Sequence, residues 1–78
     1  MLTSEQIRMA RASLGWTIDV LAAKTLISSR TIKRIEASSG VPNCTKANLN
    51  LIKETFEASG IEFIGDINDG PGVRIWTI

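Results

Sequence analysis

Residues Thr17–Glu36 read TIDVLAAKTLISSRTIKRIE, and this stretch decides the fold. At helical spacing it gives two short amphipathic helices that share one apolar seam. Leu21 and Ala22 lie on the first helix, Ile32 and Ile35 on the second. Between them Thr25, Leu26 and Ile27 leave room only for a sharp turn. Two helices so joined predict a helix-turn-helix, a shape whose second helix fits the DNA major groove. The polar face of that second helix carries Ser29, Arg30, Lys33 and Arg34, with no acid before Glu36. Hydroxyls and cations on one face suit a partner with phosphates and base-edge acceptors.

The flanking sequence extends the helical reading. A first helix is predicted from about Ser4 to Leu14, with Thr3 or Ser4 as its cap and Glu5 and Gln6 in its first turn. Ile7, Ala10 and Leu14 recur at spacings of three and four, which sets one apolar face. Gly15 stops this helix, Trp16 is a core or staple residue, and Thr17 caps the second helix. Ser28 caps the third, which runs to about Ala37. Gly40 and Pro42 forbid a continuing helix over residues 38–43. Thr45 caps a fourth helix whose apolar positions are Leu49, Ile52 and Phe56, and Gly60 ends it. Leu51 lies off that stripe. Beyond Gly60 the chain changes character. Residues 61–64 and 73–78 are rich in β-branched and aromatic residues, and residues 65–72 between them hold the turn formers Asp66, Asn68, Asp69, Gly70 and Pro71, so a β-hairpin is expected.

Composition narrows the function classes. With 78 residues, 44% hydrophobic and 22% charged, the chain suits one small domain. Residues 1–60 form its helical part and residues 61–78 a hairpin belonging to the same domain. No apolar run approaches the roughly 20 residues that span a bilayer, and the N-terminus does not resemble a signal peptide. Cys44 is the only cysteine and there is no histidine, which argues against a disulfide framework or a zinc site. These features predict a cytoplasmic protein without a membrane partner. The net charge is only +1, but it is sorted along the chain. Residues 1–53 carry eight cations against Glu5, Asp19 and Glu36, whereas residues 54–78 carry Arg74 against five acids. That division suggests a basic binding portion and an acidic tail kept off DNA.

Several positions at fixed offsets resemble the Cro and phage-repressor type of helix-turn-helix, the Xre family. They are Arg11, Gly15-Trp16-Thr17, Leu21-Ala22, Ile27-Ser28, Thr31-Ile32 and Arg34-Ile35-Glu36. The likeness covers roughly Gln6 to Gly60. The tail GIEFIGDINDGPGVRIWTI also resembles the C-terminus of a group of short bacterial members. The resemblance implies a mainly α fold, a four-helix domain of the phage-repressor type followed by a C-terminal β-hairpin. It implies that Arg11 pairs with Glu36, a structural ion pair, with a phosphate contact as the other use of Arg11. It places base reading on Ser29, Arg30, Lys33 and Arg34. Arg30 suits guanine N7 and O6, and Lys33 a guanine or a phosphate. Phosphate or supporting contacts fall on Thr17, Ser28, Thr31, Asn43 and Lys46, Thr31 being equally suited to a thymine methyl. Two positions depart from the family pattern. Ile18 stands where many members carry a phosphate-binding glutamine, and Leu26 where many carry a glycine in the turn.

The expectation is a sequence-specific DNA-binding transcriptional regulator, a repressor, that reads a palindromic operator as a homodimer. Phe63, Ile64, Ile75, Trp76 and Ile78 are more apolar residues than a two-stranded ribbon buries alone, which marks them as the dimer interface. The alternative is an antitoxin that autoregulates through the same domain and holds a toxin, its protein partner, by the tail. A module that binds no DNA is a third reading. An enzyme is not expected, because no histidine, phosphate loop or paired-carboxylate arrangement is present. No cofactor is expected either, and no second domain is available to sense a small-molecule ligand.

Overall fold

The computed structural model describes residues 1–76, in which four helices precede one two-stranded antiparallel sheet. The helices are α1 (Ser4–Leu14), α2 (Ile18–Thr25), α3 (Ser29–Glu36) and α4 (Lys46–Glu57). The strands are β1 (Ile61–Ile64) and β2 (Gly72–Ile75). No helix among the described residues is long and apolar enough to cross a membrane.

Each helix begins where a hydroxyl satisfies an otherwise unpaired backbone N–H. Thr3 caps α1 in a reciprocal box. The Gln6 N–H donates to Thr3 Oγ1 at 3.1 Å, and the Thr3 N–H donates to Gln6 Oε1 at 3.0 Å. Thr17, Ser28 and Thr45 accept in the same way from Val20, Thr31 and Asn48. Gly15 ends α1 at φ +67°, a left-handed conformation that suits glycine.

The apolar stripes meet in one core. Ile7, Leu21, Ile32, Ile35, Ile52 and Phe56 are fully buried, joined by Ala10, Leu49 and Ile61. Trp16 stacks on Phe56 with ring centroids 5.4 Å apart, and Phe63 meets the same ring edge-on at 6.0 Å. Trp16 is thus a core residue, with Lys24 lying 5.0 Å over its outer side. Leu51 points outward, off the stripe.

The turn between α2 and α3 spans only residues 26–28. Thr25 closes it, since its buried hydroxyl donates to Leu21 O at 2.8 Å and accepts from the Ile27 N–H at 3.3 Å. Leu26 occupies the left-handed region at φ +60° with 93% of its surface exposed. So this turn keeps the glycine-favoured conformation and carries a leucine in it. The strain costs about 1 kcal/mol or more, with no burial to offset it. Leu26→Gly is expected to raise stability by about 0.5–1 kcal/mol, after subtracting the entropy that glycine adds to the unfolded chain. A melting temperature that stays level or falls would contradict this account of the turn.

The hairpin pairs Ile61 with Ile75 and Phe63 with Val73, so these four side chains share one face. Its loop turns on an Asp66 side chain that accepts from the Asn68 N–H at 2.9 Å. Gly65 has φ +70°, and a Cβ there would stand 2.6 Å from Gly70 O, so no larger residue fits. The second strand begins at Gly72, one residue before the expected start, and ends at Ile75, while residues 77 and 78 of the expected strand lie outside the described residues. Gln6 ties the sheet to α1, its Nε2 donating to Ile64 O and Gly72 O at 3.0 Å each.

Candidate nucleic-acid interface

The outward face of α3 is defined by what its other face buries. Ile32, Ile35 and Glu36 are buried, and at about 100° per residue Arg30 stands directly opposite them. Lys33 flanks Arg30 on one side and Arg34 on the other, and all three are exposed. Ser29 and Thr31 sit half-buried at the margins. The residues assigned to base reading therefore lie together on one short helix.

Three side chains of α1 grip the opposite end of α3. Helix C-termini leave carbonyls without partners, and here α1 supplies the donors. Ser4 Oγ donates to Ile35 O at 2.6 Å, and Arg8 Nη1 donates to Glu36 O and to Ser38 O. Arg11 Nε donates to Glu36 Oε2 at 2.9 Å, and Nη2 to Oε1 at 3.0 Å, a two-pronged contact with a carboxylate only 5% exposed. Arg11 Nη1 goes on to Trp16 O at 3.0 Å. The ion pair implied by the resemblance is present, and Arg11 is spent inside the molecule. The sequence offers Ser4 as a cap and Glu5 as a first-turn acid, whereas Thr3 makes the cap and both side chains reach across the molecule with Arg8. The spacing of Ser4, Arg8 and Arg11, four then three, was the available sign of a polar stripe beside the apolar one.

Glu5 completes the grip from the next loop. The Gly40 N–H donates to Glu5 Oε1 at 3.0 Å, while the Ser4 N–H donates to Gly40 O at 2.8 Å. Hydrogen bonding to its own backbone N–H, then to that of Gly40, holds the Glu5 carboxyl below its usual range.

Charge is sorted in space as well as along the chain. Arg11 is held by Glu36, Arg8 reaches the carbonyls at the end of α3 and lies 3.9 Å from Glu5, Lys53 leans toward Glu57 at 3.9 Å, and Arg74 pairs with Glu62 at 3.3 Å. Among the described residues, Lys24, Arg30, Lys33, Arg34 and Lys46 form no ion pair. Three of those five stand on the outward face of α3. Asp19, at the start of α2, reaches the same face, where Ser29 Oγ donates to its Oδ1 at 2.6 Å. Ser29 has therefore committed its proton to a neighbour, which its sequence position did not foretell.

The supporting residues divide into two groups. Arg34, Asn43, Cys44, Thr45 and Asn48 line one shallow cleft where α3 meets the start of α4. Cys44 packs against the core, and burial pushes its thiol up despite nearby Arg34, so it stays protonated near neutrality. Lys46 lies elsewhere. It lines a groove with Leu2, Leu49, Lys53 and Phe63, between α4 and the hairpin. Thr17 and Ser28 are exposed caps, and Ser28 Oγ also donates to Thr31 Oγ1 at 2.9 Å. Ser28 thus spends its proton on Thr31, whereas the Thr31 hydroxyl accepts there and keeps its own proton to donate.

The hairpin set assigned to a subunit contact also separates. Phe63 packs against the molecule's own core, and Ile64 is half-buried. Ile75 and Trp76 are open, with 57% and 58% of their surfaces exposed. Ile78 lies outside the described residues. Glu62 braces Trp76 by accepting from its Nε1 at 2.8 Å, which fixes the indole at the sheet surface.

No protein-family profile matches the chain, and no curated protein sequence matches it significantly. What the arrangement can do follows from its own chemistry. A rigidly held helix presents donors at its centre and flanks, one acceptor pair at its start, and a polar cleft beside it. Such a surface can bind anionic polymers and distinguish groups along their edges.

Proposed function

We propose that this protein is a sequence-specific DNA-binding transcriptional regulator, a repressor of the phage-repressor helix-turn-helix type acting in the cytoplasm. In this reading α2 and α3 are the helix-turn-helix pair and α3 enters the major groove. The observation that carries it is the free cationic face of α3. Among the described residues Arg30, Lys33 and Arg34 form no ion pair and stand opposite the buried stripe, while Arg8 and Arg11 are engaged at the far end of α3. Arg30 and Lys33 read base edges; Arg34, with Asn43 and Asn48 beside it, holds a phosphate.

One α3 reads only a few base pairs, so the regulator works as a homodimer on a palindrome, its two recognition helices about 34 Å apart. Ile75 and Trp76 supply the apolar contact between protomers. Removing the whole hairpin would disturb the fold, because Ile61 is 2% exposed and Gln6 donates to the strand carbonyls. Ile75→Glu is the cleaner variant. It is expected to leave the fold intact and give a monomer by light scattering at concentrations where the parent is a dimer. A parent that is monomeric, or a variant that stays dimeric, would sink this part of the reading.

The function itself is tested by selecting bound sequences from a pool of randomised duplexes. The expected product is a palindrome with half-sites one helical turn apart. A pool that gains no common sequence over successive rounds contradicts specific recognition.

A further inference from the structure

The Asp19 to Ser29 hydrogen bond gives the start of α3 a chemistry that the rest of its face lacks. Ser29 is the first residue of α3 and Asp19 the second of α2, so the 2.6 Å bond bridges the two helices at the surface. Ser29 donates its only proton, which leaves its oxygen as an acceptor. The carboxylate of Asp19 offers acceptors alone, and Asp19 is exposed. Next to this pair stand Arg30 and Lys33, which offer donors alone. The face is therefore polarised along its length, acceptors at the helix start and donors behind them.

Base edges in the major groove sort against such a pair. Guanine shows two acceptors, and thymine an acceptor and a methyl. Adenine shows its amine beside the N7 acceptor, which a carboxylate meets with repulsion. Cytosine shows only the N4 amine donor. Phosphates are repelled as well, so Asp19 adds nothing to sequence-independent affinity and subtracts from it.

Resting on the DNA-binding reading above, we infer that Asp19, oriented by Ser29, is a specificity-determining residue that selects cytosine through its N4 amine. The pair also lowers affinity for DNA of the wrong sequence.

Sequencing duplexes retained from a randomised pool, for the parent and for Asp19→Asn, tests this. Asparagine keeps an acceptor for Ser29, so the fold and melting temperature are expected to hold. Its amide adds a donor and removes the charge. The parent is expected to enrich cytosine at one position of each half-site. In Asp19→Asn that preference falls about 10-fold, the scale of one base contact, and affinity for random duplex rises. Ser29→Ala provides the second arm. It loosens the carboxylate and weakens the cytosine preference, while the charge continues to suppress random binding. If both variants select the parent's sequence at every position, with random-duplex affinity unchanged, Asp19 is only a brace between helices and the inference is overturned. If the parent itself retains no duplex, the DNA-binding reading fails first and takes this inference with it.

Discussion

Arg11→Ala is expected to cost the fold about 3 kcal/mol, a melting-temperature loss of roughly 12–24 °C. Glu36 is the reason. Its carboxylate is 5% exposed and accepts three hydrogen bonds from Arg11, so truncating the arginine strands a charge without water or partner. The lower end of the usual range applies because Arg11 itself keeps 24% of its side-chain surface in solvent. Trp16 O loses a donor in the same step, and with it a tie between α1 and the approach to α2. The pair need not be a large net gain over an apolar core, and the double replacement Arg11→Met with Glu36→Leu separates the two ideas. It is expected to recover most of the loss. Thermal melting of the three proteins decides the matter. A loss below about 0.5 kcal/mol, the range of ordinary surface changes, would mean that the pair does not hold α3 in place.

The second large effect concerns binding. Arg30→Ala is expected to weaken the selected operator by about 1–3 kcal/mol and to relax preference at particular base pairs. Arg30 stands opposite the buried stripe, is exposed, and has no ion pair among the described residues, so its loss leaves folding untouched. Lys33→Ala follows in the same direction with a smaller effect. Arg34→Ala behaves differently, because Arg34 lies in the cleft with Asn43, Thr45 and Asn48. It weakens operator and random duplex alike. Equal losses on both kinds of DNA for Arg30→Ala would reassign Arg30 to the phosphates.

The elements whose energetics repeat locally could be read directly. Leu21, Ile32, Ile35, Leu49, Ile52 and Phe56 recur at helical spacing, and all are buried. Thr17, Ser28 and Thr45 each stand one residue before a helix and cap it, since the bond they accept lies only three residues away. Leu26 was visible as a misfit in a turn, and the structure keeps both the turn and the strain.

The parts that escaped are contacts across long separations made by single polar atoms. Gln6 reaches Ile64 and Gly72, Ser4 reaches Ile35, and Arg8 reaches Glu36 and Ser38. Such bonds have no period, and a glutamine in a first helical turn looks the same whether its amide ends in water or on a strand carbonyl. Among the described residues no buried side-chain polar atom lacks a partner, so these contacts are required by the burial of their own donors. The Ser29 bond to Asp19 escaped for a related reason. Both residues look like solvated surface in sequence, and only the crossing of α2 and α3 brings them within 2.6 Å. The hairpin was legible as a hairpin. Its division into a packed side, with Ile61 and Phe63, and an open end, with Ile75 and Trp76, depended on where α1 and α4 lie.

The central claim, that the free cations of α3 and its flank meet DNA, is tested most directly by one titration. The affinity of the intact protein for a fluorescent duplex of random sequence is measured from 50 to 200 mM salt. About two phosphate contacts from each protomer, made by Arg34 and one further cation, release counterions that set the salt slope. They predict a fall in affinity of about 100-fold across that range, and a shallower fall for Arg34→Ala. No binding at 50 mM salt, or binding indifferent to salt, would contradict the account.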